Sequence, residues 1–244
     1  MSTFKTELSI AFIVTLVFCG FLFAFVALSD VIDIPYGETE TLAPGELAPN
    51  EVAVTIPEGF VLKEIEERFK DAGIDLKTDD KDEGYLFPDT YRFYLDATSE
   101  DVIKRMKDTF LKKVGNINKD DLILASIVQR EVAGAEDMKI VAGIFKKRLV
   151  KGIALQADST VNYVTGKSNP RSLIKDTKID SPYNTYKYPG LPPGPISNPG
   201  LSAILAVKNP ETSPYLYFLT TPDNKVIYSK NFEEHKQARF KYLD

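Results

Sequence analysis

The chain has 244 residues, enough for a membrane segment and one sizeable domain. Its formal net charge of -5 excludes non-specific nucleic-acid binding, which needs a basic surface to displace counterions from phosphate. One cysteine, Cys19, and one histidine, His235, can build neither an internal disulfide framework nor a Cys/His metal cluster, so no metal or cofactor is expected.

From Leu8 to Leu28 the sequence LSIAFIVTLVFCGFLFAFVAL holds no charged residue, and its length is close to the ~20 residues that carry a helix across a bilayer. Lys5 precedes it while Asp30, Asp33, Glu38 and Glu40 follow. That bias puts the N-terminus in the cytoplasm and the rest of the chain outside. A cleaved signal peptide is the rival reading, with Ala27-Leu28-Ser29 as a small-x-small site, but the apolar run is longer than a usual signal core and favours an uncleaved anchor. Cys19 is not read as a lipoprotein cysteine, because Phe18 stands where a small residue is wanted. Residues 30–50, rich in Pro, Gly and Glu, read as a spacer.

In the next stretch Val52, Val54 and Ile56 alternate as a strand, Pro57-Glu58-Gly59 turns, and Val61, Leu62, Ile65 and Phe69 share one helix face that ends near Gly73. This outline looks like part of a LysM-like peptidoglycan-binding unit. EGYLFPDTYRFYLD, residues 83–96, sets five aromatics among acids, as a sugar-facing surface would or as an ordinary core strand would. Ser99 to Val114 predicts an amphipathic helix with Ser99 as its cap.

NINKDDLILASIVQREVAG, residues 116–134, then places Leu124, Ile127, Val128 and Glu131 at helical spacing, with Asn118 as cap and Gly134 as stop. A carboxylate on a core-facing stripe has its pKa raised, the condition for a general acid that keeps its proton near neutral pH. The bland alternative is that Glu131 ends its helix partly solvated or pairs with a cation such as Arg130. A second helix should run to Val150, its face of Met138, Val141, Ala142, Phe145 and Leu149 packing on the first while Lys139, Lys146, Lys147 and Arg148 lie in water.

Asp158 can cap a short helix that stops at Gly166. Residues 167–200 hold seven of the fifteen prolines and read as a rigid wall carrying Tyr183, Asn184, Thr185 and Tyr186. A helix from Leu201 to Lys208, the strand YLYFLTT, a turn at Pro222-Asp223-Asn224, the strand VIYS and a helix from Phe232 to Leu243 complete an α+β chain. His235 on the last helix reads as a surface or hydrogen-bonding residue, since no nucleophile motif accompanies it.

IPEGF (56–60), EGYLFPDTYRF (83–93), LASIVQREV (124–132), LQADSTVNYV (155–164), SPYNTY (181–186), GLPPGPISNPG (190–200), PYLYF (214–218) and the EEH ending at His235 occur in one order. In that ordered set the chain resembles the YceG-like family, the MltG endolytic murein transglycosylases. The resemblance implies a single-pass inner-membrane enzyme that cuts nascent peptidoglycan strands internally and leaves 1,6-anhydromuramyl ends. Glu131 is then the catalytic residue, and peptidoglycan synthases are candidate partners. It also implies a cleft lining of Gln156, Asp158, Tyr183, Asn184 and Tyr186, with Glu83 as a secondary carboxylate or a structural one.

The expected organisation is residues 1–29 for cytoplasmic N-terminus and membrane helix, 30–50 for spacer, 51–80 for a shortened LysM-like unit and 81–244 for a mixed α/β catalytic domain. One glutamate suits this chemistry, since attack by the muramyl 6-hydroxyl on its own C1 needs no water nucleophile. Two rivals remain: a non-catalytic peptidoglycan-binding scaffold, and a hydrolytic muramidase that uses Glu83 or Asp158 as a second carboxylate.

Overall fold

The structure, a computed structural model, describes residues 49–167 and 173–243. The apolar run at 8–28, Cys19 and most of the spacer lie outside the described residues. Among those described, no helix is long and apolar enough to cross a membrane. The fold is mixed α and β, with seven α-helices and two separate two-stranded antiparallel sheets among the described residues.

β1 (Glu51–Thr55) pairs antiparallel with β2 (Thr90–Tyr94), so that Val52 faces Phe93 and Val54 faces Tyr91 across the boundary expected at residue 80. The two-residue period turns Val54, Tyr91 and Phe93 inward. α1 (Leu62–Asp71) lays Leu62, Ile65 and Phe69 over them, with the Phe69 ring edge-on to Phe93 at 5.6 Å. α2 (Ser99–Val114) closes this cluster with Val102 and Met106. Its cap is Thr98, not Ser99: the Thr98 hydroxyl accepts from Asp101 N–H while Asp101 Oδ2 accepts from Thr98 N–H, a reciprocal box that Ser99 is one residue too late to form.

The second cluster is built on α3 (Lys119–Glu131), in which every residue from Leu122 to Val128 is buried. A helix buried on all sides must be wrapped by others. α4 (Ala135–Val150) covers it with Met138, Val141, Ala142 and Phe145, and α6 (Leu201–Lys208) with Ala203, Ile204, Ala206 and Val207. Asn118 caps α3 as expected, its Oδ1 accepting from Asp121 N–H at 2.7 Å. Gly134 does not stop it: α3 ends at Glu131, the extended Val132 leaves the helix, and Gly134 caps α4 instead.

The expectation of solvated charges on α4 fails at Arg148. It is 5% exposed and donates to the carbonyls of Leu216 (2.8 Å) and Leu155 (2.7 Å), while Lys147 donates to those of Ser213 and Tyr215. These two side chains bind the segment that leads into the strand β3 (Tyr217–Thr220), which pairs with β4 (Val226–Ser229). α7 (Phe232–Tyr242) follows, and α5 (Asp158–Thr165) lies earlier in the chain. Asp158 is the first residue of α5 rather than its cap, which is Ala157; the helix stops at Gly166, left-handed at φ 66.

Candidate active site

Glu131 is the last residue of α3, where the helix carbonyls converge and disfavour a negative charge. The residue is half-buried. Ser159, at the start of α5, donates its N–H (3.1 Å) and its hydroxyl (2.6 Å) to Oε1, and the Thr220 hydroxyl of β3 donates to the Glu131 carbonyl at 3.3 Å. Three elements thus meet at this one residue.

Burial pushes the Glu131 carboxyl up to about 7. The two Ser159 hydrogen bonds pull against the shift, the neighbouring Asp158 charge adds to it, and Arg130 opposes it. Arg130 does not fold back as an ion-pair partner; its guanidinium reaches the Gly59 carbonyl at 3.4 Å. A carboxyl held near neutrality can both release and recover a proton at physiological pH.

The neighbouring candidates take distinct places. Asp158 accepts from the Tyr186 hydroxyl at 2.9 Å. Burial, followed by the Asp158 charge and its hydrogen bond, pushes the Tyr186 phenol up, so it stays a donor. Gln156 is exposed at a left-handed φ of 50, unusual for a residue with a Cβ, and its N–H donates to the Thr185 carbonyl at 3.1 Å. The buried Thr185 hydroxyl then accepts from Ala157 N–H at 3.0 Å, so the 181–186 loop clamps the entry to α5.

Asn184 is 1% exposed. Its amide donates to the carbonyls of Thr177 and Ile179 and its oxygen accepts from Tyr186 N–H, so it shapes the loop from within. The Tyr183 ring meets Tyr163 at 5.1 Å, which makes an aromatic ledge beside α5.

Glu83 is a second buried carboxyl, 5% exposed, and burial pushes it too up to about 7. It makes no ion pair among the described residues. It accepts from Leu62 N–H (3.3 Å) and from the Asn198 amide (2.9 Å), and the Tyr163 hydroxyl lies near enough to oppose the shift. Tyr163 and Ser159 stand four residues apart on α5, the spacing that stacks side chains on one helix face. α5 thereby bonds Glu131 with one residue and sets the other near Glu83.

Sequence reasoning singled out neither Ser159 nor Asn198. Asn198, fully buried, accepts from Leu86 N–H and Gly59 N–H and donates to Glu83 and to the Phe60 carbonyl, so it fastens the 196–200 segment to both earlier motifs. Along α3 the same segment is held by Ser126, whose Oγ accepts from Ile196 N–H, and by Gln129, whose Oε1 accepts from Gly200 N–H at 2.9 Å. The signal available in the sequence was placement: Ser159 adjoins Asp158, and Asn198 ends the proline wall. Among the described residues no group of three or more His, Cys, Asp or Glu side chains converges as a metal site.

Comparison with known proteins agrees with this architecture. The model of the YceG-like family matches residues 38–241. A Bacillus subtilis (strain 168) protein named endolytic murein transglycosylase is 42% identical over 173 residues, covering 66% of this chain and 48% of its own length. A protein of the same name from Streptococcus pneumoniae (strain D39) is 38% identical over 169 residues, covering 63% of this chain and 31% of its own. The chain thus spans about half or less of the length of these relatives. The crystal structure of a YceG-like protein from Listeria monocytogenes superposes with a TM-score of 0.69 at 34% identity, over 79% of this chain and 76% of that one.

Proposed function

The chain belongs to the YceG-like family, and from that membership we propose that it is a membrane-anchored endolytic lytic transglycosylase. It cleaves the bond between N-acetylmuramic acid and N-acetylglucosamine within peptidoglycan strands and leaves 1,6-anhydromuramyl ends. The names of the two relatives support the activity and substrate class. The apolar run at 8–28 supports a single-pass anchor with its N-terminus in the cytoplasm, followed by a spacer at 30–50. Residues 51–80 start a LysM-like glycan-holding unit, the remainder is catalytic, and peptidoglycan synthases that supply nascent strands are the natural partners.

The observation that carries the mechanism is the one-sided environment of Glu131. Ser159 occupies Oε1, Oε2 has no partner among the described residues, and the carboxyl is held near neutrality. Oε2 carries the proton to the glycosidic oxygen as the C1–O bond breaks. The emptied carboxylate then takes the proton of the muramyl 6-hydroxyl as its oxygen bonds to C1, so the proton count closes without water. Gln156, Asp158, Tyr183 and Tyr186 offer the sugar its hydroxyl and amide partners, with Asn184 and Glu83 holding the walls.

One observation favours a second reading, hydrolysis by a muramidase: Asp158 stands close enough to Glu131 to raise its pKa and is a second acid available to water. Mass spectrometry of strands digested by the full-length protein in detergent decides between them. Products one water lighter than hydrolysis products, absent with Glu131→Gln, support the transglycosylase; reducing ends support the muramidase. Strands bound but uncut would leave the scaffold.

A further inference from the structure

A cluster of basic side chains beside the site takes no part in holding Glu131. β3 is fastened to the end of α3 by Thr220, and at its other end Tyr217 carries two neighbours. The Arg148 guanidinium carbon lies 4.8 Å from the Tyr217 ring centre, and the His235 imidazole stacks on that ring at 5.4 Å with the planes 26° apart. Arg239 follows His235 by four residues on α7, so the two project from one face.

None of these basic side chains is matched by an anion in contact. Neither Arg148 nor Arg239 forms an ion pair among the described residues. The Nε and Nη1 donors of Arg148 are used on backbone carbonyls, which leave its charge uncancelled. Arg239 is exposed, and its guanidinium makes no hydrogen bond there. His235 is half-buried, and its Nδ1 is enclosed without a partner. Burial, then the charges of Arg239 and Arg148, hold the imidazole below the ordinary histidine range, so at neutral pH it is uncharged. An enclosed N–H with no acceptor is the costlier orphan, so the single ring proton sits on Nε2 and faces outward as a donor.

Other groups show that the cluster flanks the candidate site. Arg148 is close enough to Glu131 and Tyr186 to interact electrostatically, and Arg239 to Tyr186. An uncompensated positive field next to a glycan cleft selects for an anion. The sugar backbone carries none, but the peptide borne by the muramyl residue does.

We propose that Arg239, His235 and Arg148 form a carboxylate subsite that takes an acid group of the peptide attached to the muramyl sugar whose bond Glu131 attacks. Arg239 gives the charge-assisted hydrogen bonds and His235 Nε2–H a neutral one, while Arg148 supplies field from the other side of the cluster. The subsite rests on the glycan-strand reading above, and it makes peptide-bearing, acidic strands the preferred substrate.

The test uses the full-length protein in detergent and two strand preparations that differ in one respect: peptide carboxyls free, or converted to amides by carbodiimide coupling with ammonia. Wild type should favour the acidic strands by roughly tenfold in kcat/KM, through KM, with the preference shrinking as salt rises. Arg239→Gln should remove the preference, with kcat/KM on the acidic strands falling roughly tenfold and on amidated strands falling far less. Equal rates on both preparations, or an Arg239→Gln loss shared equally by both, would overturn the subsite. Binding of the same two preparations to Glu131→Gln is measured alongside. If wild type cuts neither, the transglycosylase reading fails on its own, and the subsite is still judged: tighter binding of acidic strands supports it, and equal binding overturns it.

Discussion

Ser159 presents both its backbone N–H and its hydroxyl to Oε1 of Glu131, at 3.1 and 2.6 Å, while Oε2 receives no hydrogen bond among the described residues. The two carboxyl oxygens are therefore inequivalent before any ligand arrives. Ser159→Ala keeps the N–H and loses the hydroxyl, a bond that favours the ionised form. The alkaline limb of the rate profile should move up by about one pH unit, with kcat down by about tenfold, since a hydrogen bond to a charged group contributes roughly 1.5–3 kcal/mol. An unmoved limb in the variant would mean that Ser159 does not set the acidity of Glu131.

The pH profile of wild type is itself diagnostic. A general acid held up to about 7 is protonated below that pH and empty above it, so kcat/KM should fall with unit slope on the alkaline side from near pH 7. Glu131→Gln should reduce turnover by at least ~10²–10⁴-fold. A profile flat from pH 6 to 9 would remove Glu131 from the role.

Stability should also depend on pH through the two raised carboxyls, and the sign is fixed by the direction of their shifts. Glu83 and Glu131 both stand near 7 in the folded chain against 4.5 ordinarily. Between those pH values the unfolded chain binds fewer protons, so stability is highest below about 4.5 and falls as pH rises toward 7. For Glu83 the loss is at most about 3 kcal/mol. The lowered Asp89 and Asp101 act the other way, but only as pH falls through the acid range below 3.8. Urea melts from pH 4.5 to 8 should show this decline, and Glu83→Gln should flatten it; an equal slope in the variant would be fatal.

Gly143→Ala tests packing against propensity. Inside α4, alanine should gain about 1 kcal/mol of helix propensity. A Cβ at 143 would however stand 2.1 Å from the carbonyl oxygen of Glu211, and Glu211 N–H is itself tied to the Lys139 carbonyl at 3.0 Å. Backbone must shift, so the variant should lose roughly 1–3 kcal/mol. A stabilised variant on denaturant unfolding would contradict the close approach. Gly200→Ala is the control: the three atoms nearest its Cβ all belong to the exposed, flexible Glu58 carboxylate, which can swing away.

Arg148→Met should cost about 2–4 kcal/mol although it removes a buried charge, because the carbonyls of Leu216 and Leu155 lose their donors. Circular dichroism melts measure it. A neutral result would mean that water replaces the guanidinium.

Much of this fold was legible because its elements carry their own punctuation. The β4 and α6 spans follow their apolar patterns, and Asn118 caps α3 where it should. Errors arose where local and tertiary signals compete. Arg148 belongs by periodicity to the polar face of α4, yet two carbonyls of the loop that follows α4 and one from the distant Leu216 draw it inside. Gly134 has the composition of a helix stop but the position of a start. In the candidate site Glu131 was legible from an acid on an apolar stripe. Ser159 and Asn198 were not, because a serine or asparagine looks the same in sequence whether it faces water or a buried carboxylate.

The side-chain and carbonyl bonds that hold Glu131 come from partners 28 and 89 residues further along the chain. Such contacts form only after long loops close, at an entropic cost that purely helical neighbours do not incur. During synthesis, a chain that has emerged only as far as α4 can already form the helix that bears the acid, but not the surroundings that restrain it. The setting of the Glu131 carboxyl is therefore complete only once β3 has docked, among the last elements of the chain to be made.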